Sequence, residues 1–314
     1  MRSLDFFAHL GSQTGNLVSE RRAEAMPKLC VIFASRGRPA ILARTVAATS
    51  RQSLQPTSII VSCVAQSDVA DLDPQSNAIV LYGPAGLTRQ RNTALRHVPD
   101  DTDYIVFFDD DFLPHANWLE IVTKTFVAQP DVGSITGSVI ADGVKGPGLT
   151  FEAAERLLSE YRGDDSGWVQ DSYVPYGCNM AFRKSAVAGL FFDERLVLYG
   201  WLEDRDFGSA LEQCGYRVIK IGAAFGVHMG VKSGRMPGRQ LGYSQIVNPV
   251  YLYRKGTMPL ASVAGHVFRN VSSNLARAFA PERHIDRIGR LQGNLRGVAD
   301  LARGMLLPER ASEL

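Results

Sequence analysis

Several features that would point to particular classes of protein are absent from this 314-residue sequence. Its four cysteines are far apart and form no CxxC pair, which argues against a zinc site and is typical of reduced thiols in a cytosolic protein. The formal net charge is only +2, so overall electrostatics give no reason to expect a nucleic acid as partner. Internal repeats and low-complexity segments are also lacking.

Long hydrophobic segments are missing as well. No run of about 18 uncharged apolar residues occurs, so we expect no transmembrane helix. The first ten residues mix Arg2, Asp5 and His9 with apolar residues and lack the hydrophobic region of a signal peptide. We therefore expect a cytoplasmic protein.

The first third of the chain alternates between strand and helix patterns. Continuous apolar runs at 29–33, 58–64, 78–82 and 105–108 are typical of strands that are buried on both faces. Helical patterns follow the first and third runs, and Pro39 suits the first position of a helix. The sequence therefore predicts an α/β fold with a mostly parallel central sheet and helices on both faces.

The fourth predicted strand ends in three consecutive carboxylates, Asp109, Asp110 and Asp111. Like charges this close repel one another, and burial adds a desolvation cost. A divalent cation relieves both, because carboxylate oxygens are suitable ligands for it. Open α/β sheets also bind their ligands at the carboxyl ends of strands. The alternative interpretation of the triplet alone is a solvated acidic turn.

Other polar groups are candidates for the same site. Glu203 and Asp204 open a predicted helix, although the helix dipole also favours carboxylates there for structural reasons. His228 ends a predicted strand; a lone histidine is more often structural, but near a carboxylate-bound cation it is a reasonable third ligand. The loop 83–92 offers backbone amides and two guanidinium groups to a phosphate, or is a plain surface loop. Residues 174–183 are a candidate wall of a substrate pocket.

In this order, these segments resemble family 2 glycosyltransferases with the GT-A fold. The resemblance runs from about Leu29 to His228. Cys30–Pro39 resembles the opening strand and nucleotide loop of the family, Arg91-Asn92 its Arg-Asn pair, and Phe108–Asp111 its DxD motif. Gly177–Phe182, followed by Phe191–Glu194, resembles the acceptor-side segment. Glu203–Asp206, followed by Gly215–Val218, resembles the ED helix and the strand after it.

The resemblance implies a metal-dependent, inverting transfer of a sugar from a nucleotide-diphosphate sugar to an acceptor hydroxyl. Asp111, Asp109 and His228 would hold Mn²⁺ or Mg²⁺. Asp204 would be the general base, with Glu203 positioning the acceptor or Asp204. The residues expected to bind the donor nucleotide are Ala34, Ser35, Arg36, Arg38, Arg89, Arg91, Asn92, Asp109 and Asp110, supplemented by Lys232 and Arg235 from a mobile loop.

The sequence departs from the family pattern after the second strand. Family members often have an acidic residue there that contacts the base, whereas this chain has Ser-Cys-Val-Ala at 62–65, with Asp68 the nearest acid. UDP-sugars are the donors that the resemblance favours, and GDP- or dTDP-sugars stay open. The acceptor would be a saccharide or a lipid-linked saccharide, in bacterial surface or exopolysaccharide biosynthesis.

Two other classes of function compete with this interpretation. A sugar-phosphate nucleotidyltransferase is also α/β and uses metal and carboxylates, but its Gly-rich signature is matched only faintly at 35–38, and Glu203 and Asp204 would have no role. A non-catalytic nucleotide-sugar-binding protein would not need the acidic triplet, the base and the histidine together.

We expect three regions: an N-terminal leader at 1–27, a GT-A catalytic domain at 28–253 and a basic amphipathic helical tail at 254–314. The tail has ten Lys and Arg residues against five Asp and Glu. Its apolar row, Ile285, Ile288, Leu291, Leu295, Val298 and Leu301, recurs with helical spacing. This row either packs on the protein, which would bury Leu291 and Leu295, or contacts the inner face of a membrane as a peripheral anchor.

Overall fold

A computed structural model describes residues 26–163, 167–233, 236–279, 282 and 284–314. Residues 1–25, which make up nearly all of the predicted leader, lie outside the described residues.

Within the described residues, the strands form a single sheet in the order β3-β2-β1-β4-β8-β6-β9-β5, and β7 pairs with β9. Strands β3, β2, β1 and β4 are parallel, β8 runs antiparallel to its neighbours β4 and β6, and β6 is parallel to β9. The strands are β1 (Leu29–Ala34), β2 (Ser58–Cys63), β3 (Ile79–Tyr82), β4 (Tyr104–Asp109), β5 (Phe112–Pro114), β6 (Val132–Asp142), β7 (Val169–Asp171), β8 (Asn179–Arg183) and β9 (Arg217–His228).

Helices follow most of these strands. They are α1 (Pro39–Ser50), α2 (Leu87–Leu95), α3 (Trp118–Ala128), α4 (Phe151–Glu160), α5 (Glu203–Gln213), α6 (Gly238–Lys255), α7 (Leu260–Ala278) and α8 (Arg287–Ala302). Helix α4 lies in a Gly-rich region whose composition suggests irregular structure. It forms because the Thr150 side chain caps its first turn by accepting from the amide of Ala153.

Both faces of the sheet are covered by helices, as the continuous apolar strands predict. On β1, Val31 and Phe33 belong to a core that includes residues of α1 and α3, whereas Cys30 and Ile32 belong to a second core with residues of α2 and α5. The predicted α/β architecture, with a mostly parallel sheet between layers of helices, is therefore confirmed.

The C-terminal helices pack on the catalytic region through small residues. A Cβ atom added to Gly293 of α8 would lie 2.0 Å from the carbonyl oxygen of Arg239 in α6, and one on Gly297 would lie 2.9 Å from Cβ of Ile246. Only glycine permits this close approach of two helices. The predicted boundary between catalytic domain and tail, at 253–254, falls near the end of α6.

The apolar row of the tail faces outward. Ile288, Leu295 and Val298 are 57%, 71% and 53% exposed, and Leu291 is half-buried. The expectation that packing of this helix would bury Leu295 is wrong, because α8 uses its glycine face for the contact. No helix among the described residues is long and apolar enough to cross a membrane.

Candidate active site

The acidic triplet lies at the carboxyl edge of the sheet. Strands β1 and β4 are adjacent and parallel, and Ala34 pairs with Asp109 at their ends. Asp110 and Asp111 form the turn into β5 and are both buried. Because parallel strands end at the same edge, the loop after β1 and the triplet come together here.

Strand pairing brings His228 to the triplet. Phe112 of β5 pairs with His228 at the end of β9, so the imidazole lies beside Asp111, with Nε2 3.4 Å from Oδ1. One ligand atom from each of Asp109, Asp111 and His228 lies within 4.8 Å of the others. Two carboxylates and an imidazole at this spacing fit a divalent cation such as Mn²⁺ or Mg²⁺.

Two further residues orient His228. Nδ1 of His228 lies 3.2 Å from Asp142, and the Tyr176 hydroxyl donates to the same carboxylate at 2.8 Å. Burial alone lowers the pKa of His228, but hydrogen bonds to Asp111 and Asp142 outweigh burial and raise this pKa to about 10. A carboxylate behind a ligand histidine fixes its tautomer and directs the other nitrogen toward the metal side.

Asp142 was missed in the sequence, and Tyr176 was included only as part of the candidate pocket wall at 174–183. The available signal was positional: Asp142 ends β6, pairs with His228 across two parallel strands and so reaches the same edge as the triplet.

Asp110 is engaged by the first loop. It accepts hydrogen bonds from Ser35 Oγ at 2.6 Å and from Arg38 Nη1 at 2.9 Å. Arg38 also donates to the carbonyl oxygens of Val231 and Ser233. Burial raises the pKa of Asp110 to about 6, although the positive charge of Arg38 opposes this rise. This network joins the loop after β1 to the loop after β9.

A buried arginine connects the triplet to helix α5. Arg91 is 2% exposed and pairs with Asp109 at 3.2 Å and with Glu203, and it donates to the carbonyl of Gly177 at 2.9 Å. Burial raises the pKa of Glu203 well above its usual range, although Arg91 opposes the shift. The second carboxylate oxygen of Glu203 is buried and has no hydrogen-bond partner among the described residues.

Asp204 is better placed than Glu203 to meet a substrate. It is half-buried and lines a cleft, while its two oxygens accept from the amides of Gly177 at 3.0 Å and Arg205 at 2.8 Å. Burial raises the pKa of Asp204 from its ordinary value despite these two hydrogen bonds. A carboxylate whose pKa is raised is a stronger base than an ordinary one.

Some residues expected to bind the nucleotide make structural contacts instead of facing the triplet. The Asn92 side chain donates to and accepts from the backbone of Phe192, and Arg89 lies 3.8 Å from Glu194 on the surface. Lys232 donates to the carbonyls of Gly143 and Val144. Arg36 is exposed in the first loop, Ala34 is half-buried at the end of β1, and Arg235 lies outside the described residues.

Asp68 lies closer to the nucleotide loop than its sequence position suggested. A short 3₁₀ turn (Gln66–Val69) folds it back, so that its carboxylate accepts from the amides of Gly37, Val64 and Ala65. It is 4% exposed. Thus the edge of the sheet after β2 does contain an acidic group, three residues beyond the position where the family pattern puts one.

Comparison with known proteins agrees with this geometry. The profile of Glycosyl transferase family 2 matches residues 30–191, which is more than half of the chain. The chain belongs to glycosyl transferase family 2, and it is therefore a glycosyltransferase. This membership sets aside both the nucleotidyltransferase and the non-catalytic alternatives.

The similar solved structures include the mannosyltransferase PcManGT from Pyrobaculum calidifontis in complex with GDP-Man and Mn²⁺. The match has a TM-score of 0.53 and 16% sequence identity, and it covers 97% of this chain and 86% of that chain. No curated protein matches the chain. The predicted GT-A fold is confirmed by the structural match and the family profile together.

Proposed function

We propose that this enzyme transfers a sugar from a nucleotide-diphosphate sugar to an acceptor hydroxyl with inversion of the anomeric carbon. The observation that supports it most is the group of Asp109, Asp111 and His228, whose ligand atoms lie within 4.8 Å of one another. Asp204 is connected to this group through Gly177, whose amide donates to Asp204 and whose carbonyl accepts from Arg91, the partner of Asp109. One part of the site would hold the diphosphate and the other would activate the acceptor.

The proposed chemistry is a single displacement. Asp204 accepts the proton of the acceptor hydroxyl while the oxygen of that hydroxyl bonds to the anomeric carbon. The bond from this carbon to the diphosphate breaks, and the nucleoside diphosphate leaves. A bound Mn²⁺ or Mg²⁺ would neutralise the charge that develops on the diphosphate.

The nearest thiol is poorly suited to a double displacement. Cys178 is 1% exposed, and burial raises its pKa well above the ordinary value of a thiol. A thiol that stays protonated is a weak nucleophile. With Asp204 as the base and no nucleophile assigned among the described residues, the configuration of the transferred sugar should invert.

A direct assay would identify the base of the donor nucleotide and the metal ion that the enzyme uses. UDP-sugars are the donors that the family resemblance favours, whereas PcManGT was captured with GDP-Man and Mn²⁺. A panel of UDP-, GDP- and dTDP-sugars, each with Mn²⁺, Mg²⁺ or EDTA, would be assayed for nucleotide release. Release that needs a divalent ion supports the proposal, and NMR of the first product should show the inverted anomer. Retention of configuration would contradict single displacement.

We also propose that the C-terminal helices contact an anionic membrane surface, where a lipid-linked acceptor would be presented. Helices α7 and α8 are neighbours and both present apolar side chains to solvent. The exposed side chains are Leu260, Phe268, Leu275 and Phe279 in and after α7, and Ile288, Leu295 and Val298 in α8. Unusually exposed apolar patches mark interaction surfaces.

Charge favours a membrane over a second copy of the chain as the occupant. The region 254–314 has ten basic and five acidic residues, and two copies would therefore repel one another. Anionic headgroups attract basic residues by about 1 kcal/mol each near the surface. A peripheral location at the inner membrane face and a role in bacterial surface or exopolysaccharide synthesis are consistent with this contact.

Sedimentation with vesicles tests the membrane contact. The wild-type protein should sediment with anionic vesicles at low salt and less at high salt. A variant with Phe268→Ser and Leu295→Ser should stay in the supernatant, while Val127→Ser, at another exposed apolar position, on α3, should behave as wild type. A wild-type protein that stays in the supernatant, or that forms dimers lost in the double variant, would contradict the proposal.

A further inference from the structure

A cleft of about 430 Å³ begins at the proposed base and extends to helix α7. Its lining includes Asp204 and Arg205 of α5, Tyr173 and Tyr176 from the segment before β8, and His266 of α7. This volume lies in the range of small-molecule binding sites. The lining excludes Asp109, Asp111 and His228, so the cleft lies on the acceptor side of the proposed reaction.

The arginine of this cleft differs from the arginines around the triplet in its ion-pair partners. Arg38 and Arg91 each pair with two carboxylates. In contrast, Arg205 forms no ion pair with any residue that the structure describes, and its Nε atom is buried with no hydrogen-bond partner. A buried guanidinium donor without an acceptor is rare, because its desolvation is not compensated.

A second basic group faces Arg205 from another element. His266 is half-buried, and neither it nor the exposed Arg269 has an ion-pair partner within the described part of the chain. Burial, together with the charges of Arg205 and Arg269, lowers the pKa of His266. Burial also lowers the pKa of Arg205, although the charges of Asp204 and Glu212 oppose this shift. Asp204 is the acidic side chain of the cleft lining, but its oxygens accept from the amides of Gly177 and Arg205, and it forms no ion pair with the Arg205 guanidinium or with His266.

We propose that Arg205 and His266 form a subsite for an oxyanion of the acceptor, and that this oxyanion is a phosphate. The inference rests on the proposed function and names the acceptor class: a saccharide joined to a phosphate. A guanidinium presents paired N–H donors that match phosphate oxygens, and a neighbouring imidazole adds a further donor. The acceptor hydroxyl would then lie at Asp204.

The position of the subsite favours a lipid-linked phosphate over the carboxylate of an acidic sugar. His266 belongs to the same helix as Phe268, which is 75% exposed and lies on the surface proposed to meet the membrane. Headgroup phosphates occur at the membrane interface where such an apolar side chain inserts. Charge and location thus point to the same acceptor.

Binding of matched analogues tests the proposal without turnover. Octyl glucoside, glucose 1-(octyl phosphate) and octyl glucuronide share a sugar and a chain but differ in charge. Calorimetry would be done below their micelle concentrations, in EDTA, so that no metal ion supports binding at the diphosphate side. We expect the phosphate analogue to bind wild type about tenfold or more tightly than the neutral one, the scale of one charge-assisted hydrogen bond.

Substitutions then locate the subsite. Arg205→Gln should abolish the preference for phosphate, and His266→Gln should reduce it, so that a fold defect in one variant leaves the other informative. Arg156→Gln, an exposed arginine on α4, is the matched control and should keep the preference. Thermal stabilisation by nucleoside diphosphate and Mn²⁺ should be unchanged in all three.

Other results of these measurements would contradict the subsite, the phosphate assignment or the proposed function. Equal binding of the neutral and phosphate analogues, or a preference that survives Arg205→Gln, would overturn the subsite. A preference for the glucuronide over the phosphate would overturn the phosphate assignment. If wild type shows the phosphate preference but binds no nucleoside diphosphate with Mn²⁺, the proposed function fails and the anion subsite stands.

Discussion

Arg91 and Glu203 form a buried ion pair beneath the candidate active site, and the same guanidinium reaches Asp109 at 3.2 Å. Replacing Arg91 by Leu would leave the buried carboxylate of Glu203 and the half-buried carboxylate of Asp109 without this partner. We expect the free energy of unfolding to fall by about 3–5 kcal/mol, the usual cost of removing one member of a buried pair. Chemical denaturation measures this change.

Arg89 supplies the control for that prediction. It is two residues away on α2, but its side chain is 45% exposed and lies 3.8 Å from Glu194. Exposed pairs contribute about 0–1 kcal/mol, so Arg89→Leu should change stability little. Similar losses in both variants would contradict the structural role assigned to Arg91.

Asp142→Asn should weaken metal binding. The carboxylate holds Nδ1 of His228, and loss of such a partner typically costs about 10–100-fold in metal affinity. Titration of Mn²⁺ followed by electron paramagnetic resonance measures the affinity directly. Asp131→Asn, at the opposite end of β6, should leave it unchanged. Unaltered Mn²⁺ affinity in Asp142→Asn would show that His228 needs no such support.

Asp204→Asn should lower turnover by roughly a hundredfold or more while leaving donor affinity nearly intact, because a general base is lost. Burial raises the pKa of Asp204, and the base acts only when deprotonated. The wild-type rate should therefore rise with pH through a pKa above that of an ordinary aspartate. The residual rate of the variant should lack this step. A variant with normal turnover would move the base elsewhere.

Gly293→Ala tests the close contact between α6 and α8. The added Cβ would lie 2.0 Å from the carbonyl oxygen of Arg239, so the helices must separate. We expect a loss of about 1–3 kcal/mol, the scale of an overpacked contact. Gly265→Ala in α7 meets no atom within 4 Å and should be neutral or stabilising by up to about 1 kcal/mol. Equal effects would mean that the two helices do not pack through this glycine.

The sheet and the place of the acidic triplet could be predicted from the sequence for the same reason. Strands buried on both faces read as continuous apolar runs, and the carboxyl ends of such strands share an edge. Asp109 and Asp111 follow one of these runs directly, whereas His228 was assigned to the group because it ends a predicted strand and because of the family resemblance.

Contacts between distant segments could not be predicted this way. Asn92 appeared to be a candidate ligand, yet its amide holds the backbone of Phe192. The apolar row of α8 was compatible with packing on the protein or with contact to a membrane. The sequence did not show that glycines form the contact face, where close backbone packing replaces side-chain burial. Arg205 followed the more conspicuous Glu203 and Asp204, and the sequence did not show that it lines a cleft together with His266 of α7.

Calorimetric titration of UDP and GDP, with and without Mn²⁺, tests the central claim most directly. For wild type, at least one nucleotide should bind about tenfold or more tightly with Mn²⁺ than with EDTA, because the ion joins the diphosphate to the carboxylates. Asp111→Asn should lose this difference, whereas Asp71→Asn, an exposed aspartate outside the site, should keep it. Binding that is equally tight with EDTA, or a Mn²⁺ effect that survives in Asp111→Asn, would contradict the account.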